Sequence, residues 1–384
     1  GYAGDIDLNA RAEIKIVDTS IFSTGRLGEI SIGQSNLSGA TSSPQTINFN
    51  DSFVTVSNEN EDTTIAEDQQ LNAGSISINA INNISVINNS EIRTLTERFG
   101  NAGNVTVQSE NGNVSFDNSN VFSNVEAGDN GEDVGIGFAG DINITANSIS
   151  FLNGSQLQSS TFGIGNSGNI ILNAQENITL SGRSPSNNFP SAIFTNSNAL
   201  GNAGNIQINV TNGSLSLDDA ARLNTESAGL FDAGESDAGE ITIDADLVSL
   251  DGNSFISAQA FGDANGGNLK IDANYIIAFP SNGRGNDLVA AADQGNGGNI
   301  DLNVEQLFGL KPGNAINGEG NFISNNDNDI DASSRAEGLD GTVNIDTSDI
   351  NPVQGATELP SNVVEPEQTT AQTCEAGRGT ANNG

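Results

Sequence analysis

Apolar residues alternate with polar ones in short bursts along this chain. Examples are SISI at 75–78, NVTV at 104–107, DINI at 141–144, NIQI at 205–208 and EITI at 240–243. A period of two, carried largely by β-branched residues, predicts strands with one buried face. Apolar residues almost never recur at i, i+3, i+4, i+7, so no amphipathic helix is predicted. Each burst follows a glycine and a polar residue. These anchor glycines are Gly4, Gly28, Gly74, Gly103, Gly140, Gly168, Gly204, Gly239, Gly267, Gly298 and Gly341, 24 to 46 residues apart. Intervals of that size indicate stacked supersecondary units, each anchor glycine marking a coil-start turn.

A second predicted strand follows each first one, as in SISF at 148–151, SLSL at 214–217 and LVSL at 247–250. From its last apolar residue to the next apolar position the spacing reads as six. The pairs are Ile16 to Phe22, Val86 to Ile92, Phe116 to Phe122, Phe151 to Leu157, Leu217 to Leu223 and Leu250 to Ile256. Turn formers lie between, so each unit reads as strand, turn, strand, turn, strand, then a loop of adjustable length. Two units carry an earlier insertion, SGRSPSNNFPSAIF and FPSNGRGNDLV. Three short strands per unit fit an all-β fold, a right-handed parallel β-helix (solenoid) of about eleven coils over residues 1–350. At a strand spacing of ~4.8 Å the rod would be about 50 Å long. A β-sandwich would want more aromatic residues and two-residue hairpin turns. Residues 351–384 hold three of the eight prolines and read as a poorly structured polar tail.

Charge narrows the choice of partners. Against 12 Lys+Arg stand 49 Asp+Glu, a formal net charge of −37. Such a surface repels nucleic acid and anionic lipid, which argues against either as a partner. No apolar run approaches the ~20 residues of a membrane-spanning helix. The single cysteine, Cys374, forms no intrachain disulfide, so packing and hydrogen bonding must supply stability. Gly1 already lies inside the repeating pattern, so the chain reads as a fragment or processed region.

Candidate chemistry is sparse. Residues 135–140 (GIGFAG) and 163–168 (GIGNSG) match G-x-G-x-x-G, but each precedes a strand, whereas a dinucleotide loop opens a helix. No cofactor is expected from them. Asp327, Asp329 and Asp331 sit at EF-hand spacing and are the weak calcium candidates. Ala332 occupies the glycine position and Gly338 replaces the bidentate glutamate, so a solvated acidic loop is the preferred reading. The acidic runs at 59–68 and 128–133 read the same way. With no histidine, imidazole bases and His-ligated zinc are ruled out. Carboxylate pairs could still cleave glycosides, but there is no Trp, and Tyr2 and Tyr275 are the only tyrosines. The 17 Phe read as core and corner packing. The N-x-S/T triplets at Asn83, Asn104 and Asn143 fall inside alternating strands and are assigned no glycans. The chain is therefore expected to be no enzyme.

The phrase that recurs at 140–161, 204–225 and 239–267, together with LPSNVVEPEQTTAQTC at 359–374, resembles the large exoproteins of the filamentous-haemagglutinin type. The likeness is to the cyanobacterial group exported by two-partner secretion. It implies export through an outer-membrane transporter barrel, folding at the cell surface, and a role in adhesion, aggregation or surface coating. An unidentified receptor or glycan would be the partner. The family's N-terminal secretion domain is not in this stretch, so recognition by the transporter would then lie upstream or be lost. Two alternatives accompany this expectation, a β-helical carbohydrate-active enzyme using Asp/Glu pairs and a calcium-stabilised surface rod.

Overall fold

The computed structural model describes residues 1–33, 43–59, 71–127, 135–198, 200–228, 236–317 and 320–347. The expected tail at 351–384, with Cys374, and most of the acidic runs at 59–68 and 128–133 lie outside these residues. Contacts divide the chain into Gly1–Ser348 and Asp349–Gly384, and all that follows concerns the first unit.

Among the described residues there is no helix, and every pairing between named strands is parallel. A strand begins two residues after every anchor glycine, and the eleven stack in chain order from Ile6–Leu8 to Val343–Thr347. The fold is a parallel β-solenoid. Its complete regular turns number about eight rather than eleven. The first course (Ile6–Leu8 and Glu13–Val17) is half-exposed. The course after Gly298 detours through Lys311–Pro312 before Asp329–Asp331, and the Gly341 course supplies one described strand, Val343–Thr347.

The three strands of a course form two sheets. In five courses the first two predicted strands are one continuous strand: Ile142–Leu152, Ile170–Ser181, Ile241–Leu250, Leu269–Ala278 and Ile300–Phe308. The residues between them bend the chain without breaking its pairing. Between Ala146 and Ser148 the register slips against Ile170–Ser181, a bulge that takes up the bend. First and second strands thus share a sixteen-stranded sheet, and third strands form an eleven-stranded one.

Inward side chains form ladders. Ile76, Val105, Ile142, Ile170, Ile206 and Ile241 succeed one another in register, all at most 1% exposed. Along the second strands run Phe49, Val86, Phe116, Phe151, Leu180 and Leu217. The Phe116 and Phe151 rings stack at 5.1 Å and 5°. Apolar residues repeat on one row because an in-register stack places each side chain directly over its predecessor, where all are shielded from water.

The corner leading to the third strand comes in two lengths, so the uniform spacing of six needs correction. Val86 to Ile92, Phe151 to Leu157, Leu217 to Leu223 and Leu250 to Ile256 keep six. Each such corner holds two successive left-handed residues: Asn88 and Asn89, Asn153 and Gly154, Asp219 and Ala220, Gly252 and Asn253. Ile16, Phe49 and Phe116 are followed after five residues by Ile21, Val54 and Val121, which share one inward row with Ile92 and Leu157. These corners hold one left-handed residue, Asp18, Asp51 or Asn118. Phe22 is therefore an outward residue, 56% exposed, and Phe122 is half-buried on the outer face. Asn and Asp tolerate this conformation because the short polar side chain bonds locally.

The anchor glycines serve a different purpose. A Cβ on Gly74, Gly103, Gly140, Gly168, Gly204, Gly239, Gly267 or Gly298 would overlap the carbonyl oxygen of the preceding anchor. Backbones there approach too closely for any side chain. Across the interior, buried third-strand hydroxyls face this row. Ser123 Oγ donates to the Gly103 carbonyl (2.9 Å) and accepts from the Gly140 N–H (2.8 Å), and Ser159 does the same with Gly140 and Gly168. Thr195 and Thr225 donate to the Gly204 and Gly239 carbonyls. Outside, the residue after each anchor makes a side-chain ladder. The Asn205 N–H bonds to Asn169 Oδ1 at 2.9 Å, and the Glu240 N–H to Asn205 Oδ1 at 2.8 Å.

Candidate binding groove

Third strands pack one face on the core and turn the other outward. The outward row Gln156, Ala192, Arg222, Phe255 runs from course to course, with Gln158, Phe194, Asn224 and Asn196, Glu226 on parallel rows. Most residues of this face are half-buried or buried. Here the two early insertions rise beside it. The first, residues 182–191, enters at the corner before Ala192–Ser197 and turns back on itself, with Arg183 bridged to Pro190 and Phe189 left 57% exposed. The second, residues 279–286, enters at the equivalent corner before Asp287–Val289 and carries Arg284.

Phe189, Pro190, Phe194, Asn196, Arg222, Asn224, Glu226, Gln156 and Ala192 enclose a groove of about 290 Å³. At its floor Asn224 Nδ2 donates to Glu226 Oε2 at 2.9 Å. Two polar atoms find no protein partner although buried, Asn196 Oδ1 and Arg222 Nε. The Arg222 guanidinium stands over the Phe255 ring at 5.6 Å. Arg284 stands over Phe255 at 5.2 Å and over Phe322 at 4.6 Å, in the range where ring quadrupoles attract cations. Neither Arg222 nor Arg284 is in ion-pair contact with a carboxylate among the described residues, whereas Arg183 pairs with Asp219 at 3.2 Å. Burial, then the Arg284 and Arg183 charges, lowers the Arg222 pKa from the ordinary guanidinium value. Burial raises that of Glu226, opposed by its Asn224 hydrogen bond and by Arg222. Three of the chain's 12 cationic side chains thus share one neighbourhood of a strongly acidic protein.

Beyond Arg284 the outward row continues into Asp287 and Asp329, on adjacent courses and 0% and 2% exposed. The Asp329 N–H donates to Asp287 Oδ1 at 2.9 Å, while Asp287 Oδ2 has no partner. Burial pushes the Asp287 carboxyl up to about 7. The Asp329 and Asp331 charges add to the rise, and the Asp329 N–H and Arg284 oppose it. This carboxylate pair is buried on the outer face and does not line the groove.

The three weak calcium candidates have separate partners. Asp327 is exposed and pairs with Lys311 at 3.0 Å. Asp329 accepts from Asn325 at 2.7 Å. Asp331 accepts from the Ala315, Ile316 and Ser333 N–H groups. No group of three or more His, Cys, Asp or Glu converges on a metal-sized site among the described residues. Both G-x-G-x-x-G segments lead into strands, at Ile142 and Ile170, and their Ile136 and Ile164 bridge courses at a corner. The phenylalanines divide between buried and exposed positions. Phe49, Phe116, Phe151 and Phe255 are buried, but Phe138, Phe162, Phe189, Phe279 and Phe308 are exposed.

Sequence reasoning missed the groove because its residues lie on three separate stretches that only the stacking brings together. The available signal was the pair of displaced insertions, both containing arginine and proline. No protein-family profile, curated protein or solved structure matches this chain.

Proposed function

We propose that this chain is a non-catalytic, surface-exposed or secreted β-solenoid rod that acts in adhesion, aggregation or surface coating. One observation carries the reading. Inward side chains, anchor glycines and buried hydroxyls repeat the same ladders course after course, so variation is confined to corners and the outer face. Repeat scaffolds use such variable faces for contact with partners. The resemblance to exoproteins of the filamentous-haemagglutinin type supports export through a transporter barrel and a cell-surface or extracellular receptor or glycan as partner. Beads coated with the full chain are expected to attach to cells or to clump with one another. Beads that stay dispersed and unattached would sink this reading.

One observation favours a carbohydrate-active enzyme instead: the raised pKa of Glu226 inside the groove suits a general acid. Glycoside cleavage uses two carboxyl groups, and Glu226 is the only one among the groove-lining residues. Reducing ends released from polysaccharide by the chain, and lost in Glu226→Gln, would establish the enzymatic reading in place of the rod.

A further inference from the structure

We infer that the groove beside Phe189 binds a carboxylate-bearing saccharide unit of the uronic-acid type, its carboxylate held by Arg222. The inference rests on the surface-rod reading in taking the partner to be an external glycan.

Four features point to this ligand. First, the floor offers a guanidinium whose Nε is buried without a protein partner, in a chain of net charge −37. Guanidinium forks match planar carboxylates and bind them more strongly than neutral groups. Arg284, behind the shared Phe255 ring, adds a second charge of the same sign. Glu226 is the one opposing carboxylate in the groove, and Asn224 holds it. Second, Asn196 Oδ1 is a buried acceptor without a partner, and Gln156 and Asn224 supply further amides. Such groups on successive courses, about 4.8 Å apart, suit the hydroxyls of a sugar ring. Third, Phe189 and Phe194 give flat apolar walls for the ring's C–H face. Fourth, the volume of about 290 Å³ lies near the lower limit of small-molecule pockets, which fits a short saccharide segment.

An acidic peptide is the other anion to consider. Strand-like peptide binding relies on free backbone N–H and C=O groups at a sheet edge. This groove lies on the face of a sheet whose third strands pair on both sides. Only side chains are on offer, which favours the sugar.

The test is calorimetric titration of the full chain with tri-galacturonate, with maltotriose as the neutral control and hexaglutamate as the acidic non-sugar control. Tri-galacturonate is expected to bind about tenfold or more tighter than either control. Its affinity should weaken when NaCl is raised to about 0.5 M. Arg222→Gln should lower it by about tenfold, with Asn196→Ala weakening it less. Phe189→Ala alters an exposed wall, so it tests the site without threatening the fold, and it too should bind several-fold more weakly. Equal binding of maltotriose or hexaglutamate would overturn the inference, as would an Arg222→Gln protein that folds normally and binds unchanged. Adhesive beads made from a chain that ignores tri-galacturonate would remove this inference while leaving the surface rod standing.

Discussion

Gly204 and Gly4 occupy the same place in two courses, yet their surroundings differ. A Cβ on Gly204 would run into the Gly168 carbonyl, whereas one on Gly4 meets nothing within 4 Å. Gly204→Ala should therefore destabilise the protein by about 1–3 kcal/mol, as overpacking does. Gly4→Ala should leave the denaturation midpoint within error, and equal effects at both sites would refute the stacking account. Asp287 provides a second residue-scale prediction. Its folded pKa of about 7 lies above the ordinary 3.8, so the folded state holds the proton more tightly than the unfolded chain. Below about pH 3.8 the group is neutral in both states and carries no penalty. As pH rises from there to about 7 the penalty grows, and stability falls. Asp287→Asn removes the titrating group, so its melting temperature should gain on the wild type by a few degrees between pH 4 and 8. A difference that stays constant over that range would show that Asp287 does not titrate there.

At the scale of the element, corner length follows the number of left-handed residues. One such residue gives a spacing of five and two give six, so Ile21 and Val121, one residue before Phe22 and Phe122, fill the inward positions after the shorter corners. Alternation shows that a strand has an inner face; it does not show how many residues the preceding corner consumes. Asn153, at φ 54°, provides the test. Asn153→Val should cost about 1–2 kcal/mol, while Asn153→Gly should fall within a few tenths, as read from urea unfolding. A valine variant as stable as wild type would mean that the corner relaxes to another turn.

The whole molecule carries −37 charges, so its outer ladders and loops repel one another. Screening should raise the melting temperature between about 0.01 and 0.3 M NaCl. Calcium in the millimolar range should add no more than its ionic strength predicts, since Asp327, Asp329 and Asp331 each bond elsewhere. A distinctly larger rise with calcium, reversed by chelator, would restore the calcium-stabilised rod.

Strand positions, their inward faces and the parallel solenoid were legible in the sequence, because a period-two pattern restarting after each glycine has few ways to bury its apolar half. The anchor glycines were legible as coil starts, though their purpose was not. Only stacking shows that a neighbouring carbonyl occupies the space of their missing side chain. The fusion of first and second strands, the buried hydroxyl row and the two corner lengths likewise depend on what lies one course above or below. The groove depends on it most. Gln156, Ala192 and Arg222 are separated by tens of residues, and they meet because parallel in-register pairing sets corresponding positions of successive courses side by side.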